Sequence, residues 1–414
     1  MTQDPRLTKA TILIKQQRYA EAERSLREVL STDPTDVNCL ALLAEVKLRQ
    51  DDHAAAESII DQAIGLAPDT AYLYYIKGGI LLGAKRQREA EVVLREAIEL
   101  DPLDADAYAL LAQILLSRKQ YAEALEQADL ALALDAEHLH ALNMRSSVLV
   151  KLDRKEDSYR TIEGALREDP ENPYTHTNYG WGLLETGDHR KALEHFGMAL
   201  RRDPTSDYAR AGMAQAVKAK NPVYRLYLQY AFFMNRLTAN YQWGVIIGVY
   251  VLYRLLVGVS ANYPALSPFV TPVLAVLVLF ALSTWVIGPI GDLLLRLDRH
   301  GRYLLDADEK LTAEIVGGCV LVFLAGGLGY FITGSGAFVV LAGYGFTMIL
   351  PVGLLSTESK TKNLLRYYGI GLGILGAVAV VAAFLITPFN LFAVGYAMAL
   401  FGFQWVANFQ VIRS

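Results

Sequence analysis

The amino-acid sequence predicts an all-α protein of two parts, a solenoid of helical hairpins in front and a polytopic helical membrane domain behind. Three observations predict it. A short pattern returns between Leu7 and Val217 at one fixed interval, the step from Pro34 to Pro68 and from Pro68 to Pro102. From about residue 242 the chain is filled by apolar runs near 20 residues long, enough to cross a hydrocarbon core of roughly 30 Å. Charge divides at the same place. Residues 1–220 hold 28 Lys+Arg against 36 Asp+Glu, a net of -8, and residues 221–414 hold 11 against 7, a net of +4.

Three registers carry the repeat. Proline follows each helical run at Pro34, Pro68, Pro102, Pro170 and Pro204, with Ala136 in the remaining slot. Small residues stand twelve positions earlier, at Ala22, Ala56, Ala90, Ala124, Ser158 and Ala192. A third register reads Val29, Ala63, Ala97, Ala131, Ala165 and Ala199. Within one unit, residues 105–118 and 121–134 each show the three- and four-residue apolar spacing of a helix face. Asp101-Pro102 and Asp203-Pro204 break the chain between units, since proline cannot continue the preceding hydrogen-bond ladder. Small residues let the paired backbones approach, and stacking the hairpins supplies the core that one pair is too small to bury.

On these residues the front half, 5–217, resembles the tetratricopeptide repeat (TPR) family. Its third unit carries the large and small positions as Tyr74, Gly78, Ala90, Ala97 and Pro102, its fourth as Tyr108, Ala112, Ala124 and Ala131, and its sixth as Tyr179, Gly180, Ala192, Phe196, Ala199 and Pro204. Unit five departs, with Arg145 at an apolar position and Ser146 and Ser158 at small ones. The resemblance implies a TPR alpha-solenoid of about six repeats whose first helices line a concave groove. Carried over position by position, the candidate partner-binding residues are Asn38, Tyr72, Tyr75, Asp106, Gln113, His140, Asn143, Tyr174, Thr177 and Trp181. Ala41, Glu45, Gly79, Ala109 and Ser147 complete the same registers. Rings and amides suit an extended peptide or protein partner, giving contact area and pairing with its backbone. Asn143 has no transferred lysine beside it, so the carboxylate clamp of some relatives is not expected.

Residues 1–217 form the expected solenoid, 218–241 an amphipathic interfacial join, and 242–414 the membrane domain. In the join, Arg225, Gln229 and Arg236 alternate with Tyr224, Tyr227, Tyr230, Phe232 and Phe233, as the headgroup layer of a bilayer favours. Six spans are expected, at about 242–260, 270–289, 314–333, 337–356, 369–387 and 390–409. The outer connections, Ala261–Phe269, Gly334–Gly336 and the turn at Pro388, have no Lys or Arg. The inner ones have Arg296, Arg299, Arg302, Lys310, Lys360, Lys362 and Arg366, and the tail has Arg413. By the positive-inside rule both termini and the solenoid are expected in the cytoplasm of a bacterial-type inner membrane. Pro289-Ile290-Gly291 and Pro351-Val352-Gly353 echo each other at the start of two inner segments. Glycines crowd the third and fifth spans, suiting close helix packing within the bundle, against a membrane-protein partner or in a homo-oligomer. Arg254 is the charge deep in a span, expected either to snorkel outward or to make a polar contact.

Catalysis is not expected. The sequence contains no phosphate loop ending in GK[ST], no HExxH and no GxSxG. Ser335 has no base near it, since His300 lies on the opposite side of the proposed membrane. His138, His140, His176, His189 and His195 are scattered, and Cys39 and Cys319 form no paired motif, so neither metal nor other cofactor is expected. The acidic front argues against nucleic acid. No secretory signal pattern opens the sequence. The function expected is a membrane-anchored scaffold or assembly factor recruiting a cytoplasmic protein to a membrane complex. The alternative is a regulatory or structural component of a transporter, channel or export system.

Overall fold

The computed structural model describes residues 5–299, 301–356 and 362–411, and every regular element among them is helical. The chain divides into two compact units. The first is Met1–Ala209 with Asn235–Thr238, and the second Arg210–Met234 with Ala239–Ser414.

The first unit is a run of helical hairpins: α1 and α2 (Pro5–Lys15, Tyr19–Thr32), α3 and α4 (Val37–Arg49, His53–Leu66), α5 and α6 (Ala71–Gly83, Gln87–Leu100), α7 and α8 (Ala105–Ser117, Tyr121–Leu134), α9 and α10 (Leu139–Lys151, Lys155–Glu168), and α11 and α12 (Pro173–Thr186, His189–Arg202). The repeat extends to the caps. Side chains at Asp36, Asp104, His138 and Asn172 accept from the first-turn backbone of the odd-numbered helices, satisfying donors that have no partner within the helix. Between hairpins, Asp33, Asp101, Asp135, Asp169 and Asp203 each accept a backbone N–H two residues on. That turn explains why Ala136 can replace proline: the aspartate before it holds the bend by itself. Inside each hairpin the connecting residue is left-handed, at Gln17, Asp51, Lys85, Lys119, Asp153 and Gly187.

The small registers sit where the helices cross. Ala22, Ala56, Ala90, Ala124 and Ala192 are wholly buried. Successive core clusters follow the chain, from Leu26, Val29 and Leu43, through Leu40, Ile60, Leu73 and Ile80, to Leu81, Leu94, Leu111 and Ile114. In unit five Ser146 and Ser158 replace alanines and bond to each other, Oγ to Oγ at 2.8 Å, while buried. Arg145 does not enter the core. It turns to Asp129 at 2.6 Å and to the Thr161 hydroxyl.

The second unit contains most of α13 (Asp207–Lys218) and α14 (Pro222–Arg236), then α15 (Ala239–Asn262), α16 (Ser267–Leu297), α17 (Ala307–Thr333), α18 (Gly336–Gly353), α19 (Lys362–Leu385) and α20 (Leu391–Val411). The join packs here: Lys218 pairs with Asp292 at 2.7 Å, Lys220 with Asp298 at 2.9 Å, and the Tyr230 ring lies 4.7 Å from that of Phe280. Gly334, at φ 68°, ends α17 and makes the expected tight turn. The Thr387–Asn390 stretch separates α19 from α20. The two Pro-x-Gly echoes meet in space, for a Cβ on Gly353 would stand 2.2 Å from Pro289 Cγ. Phe403, Ile349, Val316 and Leu372 form the core of the bundle.

Four helices among the described residues are long and apolar enough to cross a membrane: Asn240–Asn262, Ala307–Thr333, Gly336–Gly353 and Asn363–Leu385. The expected second span lies within α16, which continues through Pro272 and Pro289 to 31 residues. The expected sixth falls on Leu391–Ala407, a shorter apolar helix. His300, Lys360 and Arg413 lie outside the described residues.

Candidate functional site

The first helices of units four to six, α7, α9 and α11, bring the groove residues together. A cavity of about 480 Å³ opens among them, lined by Gln113, Ser147, Tyr174, Trp181, Glu185 and Tyr208 among others. His140 stands beside it, its Nε2 3.0 Å from Gln113 Oε1 and its ring edge-on to Tyr174 at 6.3 Å. Burial, then the charge of His138, pushes the His140 imidazole down to about 4. It is therefore neutral at physiological pH. Trp181 stacks on Tyr208 at 5.5 Å with 21° between planes, and its other side meets Phe196 edge-on. Its indole N–H is buried with no hydrogen-bond partner among the described residues. Burial, reinforced by the neighbouring Tyr174 and the Glu185 charge, raises the Tyr208 phenol to about 12.

A second cluster lies on α5 and α7. Tyr72 and Tyr75 stack at 6.2 Å, and burial followed by the Asp106 and Asp104 carboxylates raises Tyr75 to about 12. Asp106 accepts from His138 at 3.1 Å, which lowers the carboxyl and raises the imidazole. Asn38 is exposed at the start of α3. Tyr72 and Tyr174 are also exposed.

Two of the residues carried over from the resemblance do not face the groove. Asn143 is fully buried and Thr177 is 2% exposed. Asn143 Nδ2 donates to Thr175 Oγ1 at 2.9 Å and to the Leu139 carbonyl at 2.8 Å, and its Oδ1 accepts from Asn178 at 3.3 Å. Ala41 and Ala109, in the same register, are buried as well. Asn143 thus faces the neighbouring first helix, α11, through Thr175 and Asn178. Tyr75, in the same register, is partly exposed.

Other lining residues are not among those the sequence points to. Tyr208 continues the register Tyr72, Asp106, His140, Tyr174 by one more period, but the proline count stops one unit earlier. Glu185 and Lys151, an ion pair, lie one helical turn beyond the third groove register and also stand one period apart. Arg254 is exposed on α15, with no polar partner among the described residues.

The comparisons with known proteins fall on this same half. Models of the tetratricopeptide repeat family match residues 13–79, 71–102 and 93–126. Solved structures similar to the chain include MamA, 19% identical, covering 41% of this chain and 97% of its own with a TM-score of 0.34. PilF of Pseudomonas aeruginosa is 20% identical, covering 51% and 96%, with a TM-score of 0.41. PilW, described as a widely conserved type IV pilus biogenesis factor, is 17% identical, covering 50% and 96%, with a TM-score of 0.43. No curated protein matches the sequence. Residues 13–126 of this chain, from the end of α1 into α8, are tetratricopeptide repeats.

Proposed function

We propose that this protein is a membrane-anchored scaffold whose TPR groove holds an extended segment of a partner protein. The observation that carries the proposal is the cavity of about 480 Å³ walled by Gln113, Tyr174, Trp181 and Tyr208. It combines stacked rings with amide and indole hydrogen-bonding groups, one of them unpartnered, which is the chemistry an extended peptide needs. The four long apolar helices of the second unit supply the anchor, with the solenoid on the cytoplasmic side of a bacterial-type inner membrane. The bundle would dock a membrane-protein partner or a second copy. A cavity within the bundle, about 150 Å³, is lined mainly by apolar side chains, with Thr347 and Gln404 as the polar ones among the described residues. That supports a scaffold over a component carrying a polar solute.

A photo-crosslinking amino acid at Gln113 in the full chain, expressed in a bacterial host, tests the reading. A discrete protein adduct is expected, abolished by Trp181→Ala together with Tyr174→Ala, while the same label at Arg254 gives a different adduct or lipid. Adducts at Gln113 that ignore the aromatic substitutions would overturn the groove reading.

A further inference from the structure

Resting on that groove reading, we infer that its Glu185 corner selects a peptide carrying an arginine, and that the chain's own Asn235–Thr238 segment rests there as a stand-in. This short segment belongs to the first unit. Its backbone is read by side chains of unit four: the Tyr121 hydroxyl donates to the Arg236 carbonyl at 3.3 Å, and Lys119 Nζ donates to the Leu237 carbonyl at 2.5 Å. The Arg236 guanidinium lies 3.7 Å from Glu185 Oε2. Glu185 has a side chain only 9% exposed, and Lys151 pairs with its other oxygen. A carboxylate this deep needs its charge balanced and its lone pairs filled.

The fit of Arg236 is incomplete. Glu185 Oε2 and Arg236 Nε are both buried without a hydrogen bond. The ion pair therefore lacks the two parallel N–H to oxygen bonds that make a guanidinium specific for a carboxylate. An arginine free to approach from a partner peptide can complete that fork, and Trp181 supplies a further buried N–H for a peptide carbonyl close by. Donors for backbone carbonyls and an acceptor for a planar cation form one recognition set. A lysine would fill it less well, being a point charge without the fork. The tethered segment competes for the site and holds it partly closed until a better peptide arrives.

The test uses the full chain in lipid nanodiscs and a fluorescent nine-residue peptide with the sequence of residues 232–240, read by anisotropy with empty nanodiscs subtracted. Removing the tethered competitor by Arg236→Ala is expected to tighten peptide binding at least about tenfold. On that background, Glu185→Gln, nearly the same shape, is expected to lose the gain, as does a peptide with alanine in place of its arginine. A lysine peptide falls between. Circular dichroism unchanged by Glu185→Gln excludes a folding failure. Equal affinity of the unaltered and Arg236→Ala chains overturns the stand-in, and equal affinity of the arginine and alanine peptides overturns the selection. Absence of binding by every peptide, with crosslinks at Gln113 indifferent to Trp181, sinks the groove reading beneath both.

Discussion

Both units bring helices together over small residues, yet what meets there differs. In the repeats a small residue makes a hole for a side chain: a Cβ on Gly180 would stand 2.8 Å from the ring of Phe196, which is wholly buried. In the bundle glycines do both: Gly329 and Gly376 make room for the rings of Phe338 and Tyr344, while Gly326 and Gly345 let main chain meet main chain. A Cβ on Gly326 would stand 2.4 Å from the backbone nitrogen of Ala342, and one on Gly345 2.5 Å from that of Phe323. The backbone contacts suit the bilayer setting proposed for the bundle. In water, filling a hole with a ring removes apolar area from the solvent and is favourable in itself. Between apolar helices in lipid that gain is absent, and close contact along the backbones has to supply the association.

The largest effect should come from emptying a hole in the repeats. Phe196→Ala removes a fully buried ring and is expected to destabilise the first unit by about 3–5 kcal/mol. Urea unfolding of the full chain in detergent reads this directly, and a loss well below that range would mean that the ring is not structural. The next effect should come from prying apart the bundle. Gly326→Leu forces side-chain atoms against backbone that cannot rotate away, and about 1–3 kcal/mol or more is expected from overpacking. Gly327→Leu, where a Cβ meets nothing within 4 Å, is the matched control. If both glycines respond alike in thermal unfolding, main-chain contact between α17 and α18 is not what holds the pair.

The smallest effect is in pH and is confined to the repeats. The folded imidazoles of His140 and His195 are each pushed down to about 4, chiefly by burial, whereas unfolded histidines titrate near about 6.5. Between those values the unfolded chain binds more protons, so stability should fall as pH drops through the interval. His138 acts in the opposite direction. Raised by its hydrogen bond to Asp106, it contributes stability that is full below the ordinary histidine range and lost as pH climbs past its raised value. Urea midpoints at pH 7 and pH 5, in the original chain and in His140→Gln, separate the two. The original should show the steeper decline, and parallel profiles would refute the assignment.

The repeat half is legible because its signal recurs. Prolines, alanines and the order of helices all follow from a single period. Geometry that depends on a neighbour is less so. Asn143 and Thr177 occupy a register that the resemblance assigns to the groove, but both are buried, and nothing in the spacing of one helix reports that. The left-handed turns are also hidden, since Gly187 alone of the six carries the residue type that advertises them. In the bundle, apolar runs and the turns at Gly334 and Pro388 read directly. The extent of α16 does not, because a proline in sequence reads as a boundary, while the helix holding Pro289 runs on to Leu297. The Pro289 ring packs into the space left by Gly353.

The buried amide at position 143 gives the repeats an order that their shared spacing conceals. Cutting out residues 137–170 would keep every proline and alanine in phase and leave hairpins of the usual length. It would also set Thr175 opposite Ala109, the counterpart of Asn143 one period earlier, leaving a hydroxyl in the interior with nothing to answer it. Modules that look interchangeable are therefore keyed to their neighbours, and the fifth fits only ahead of the sixth.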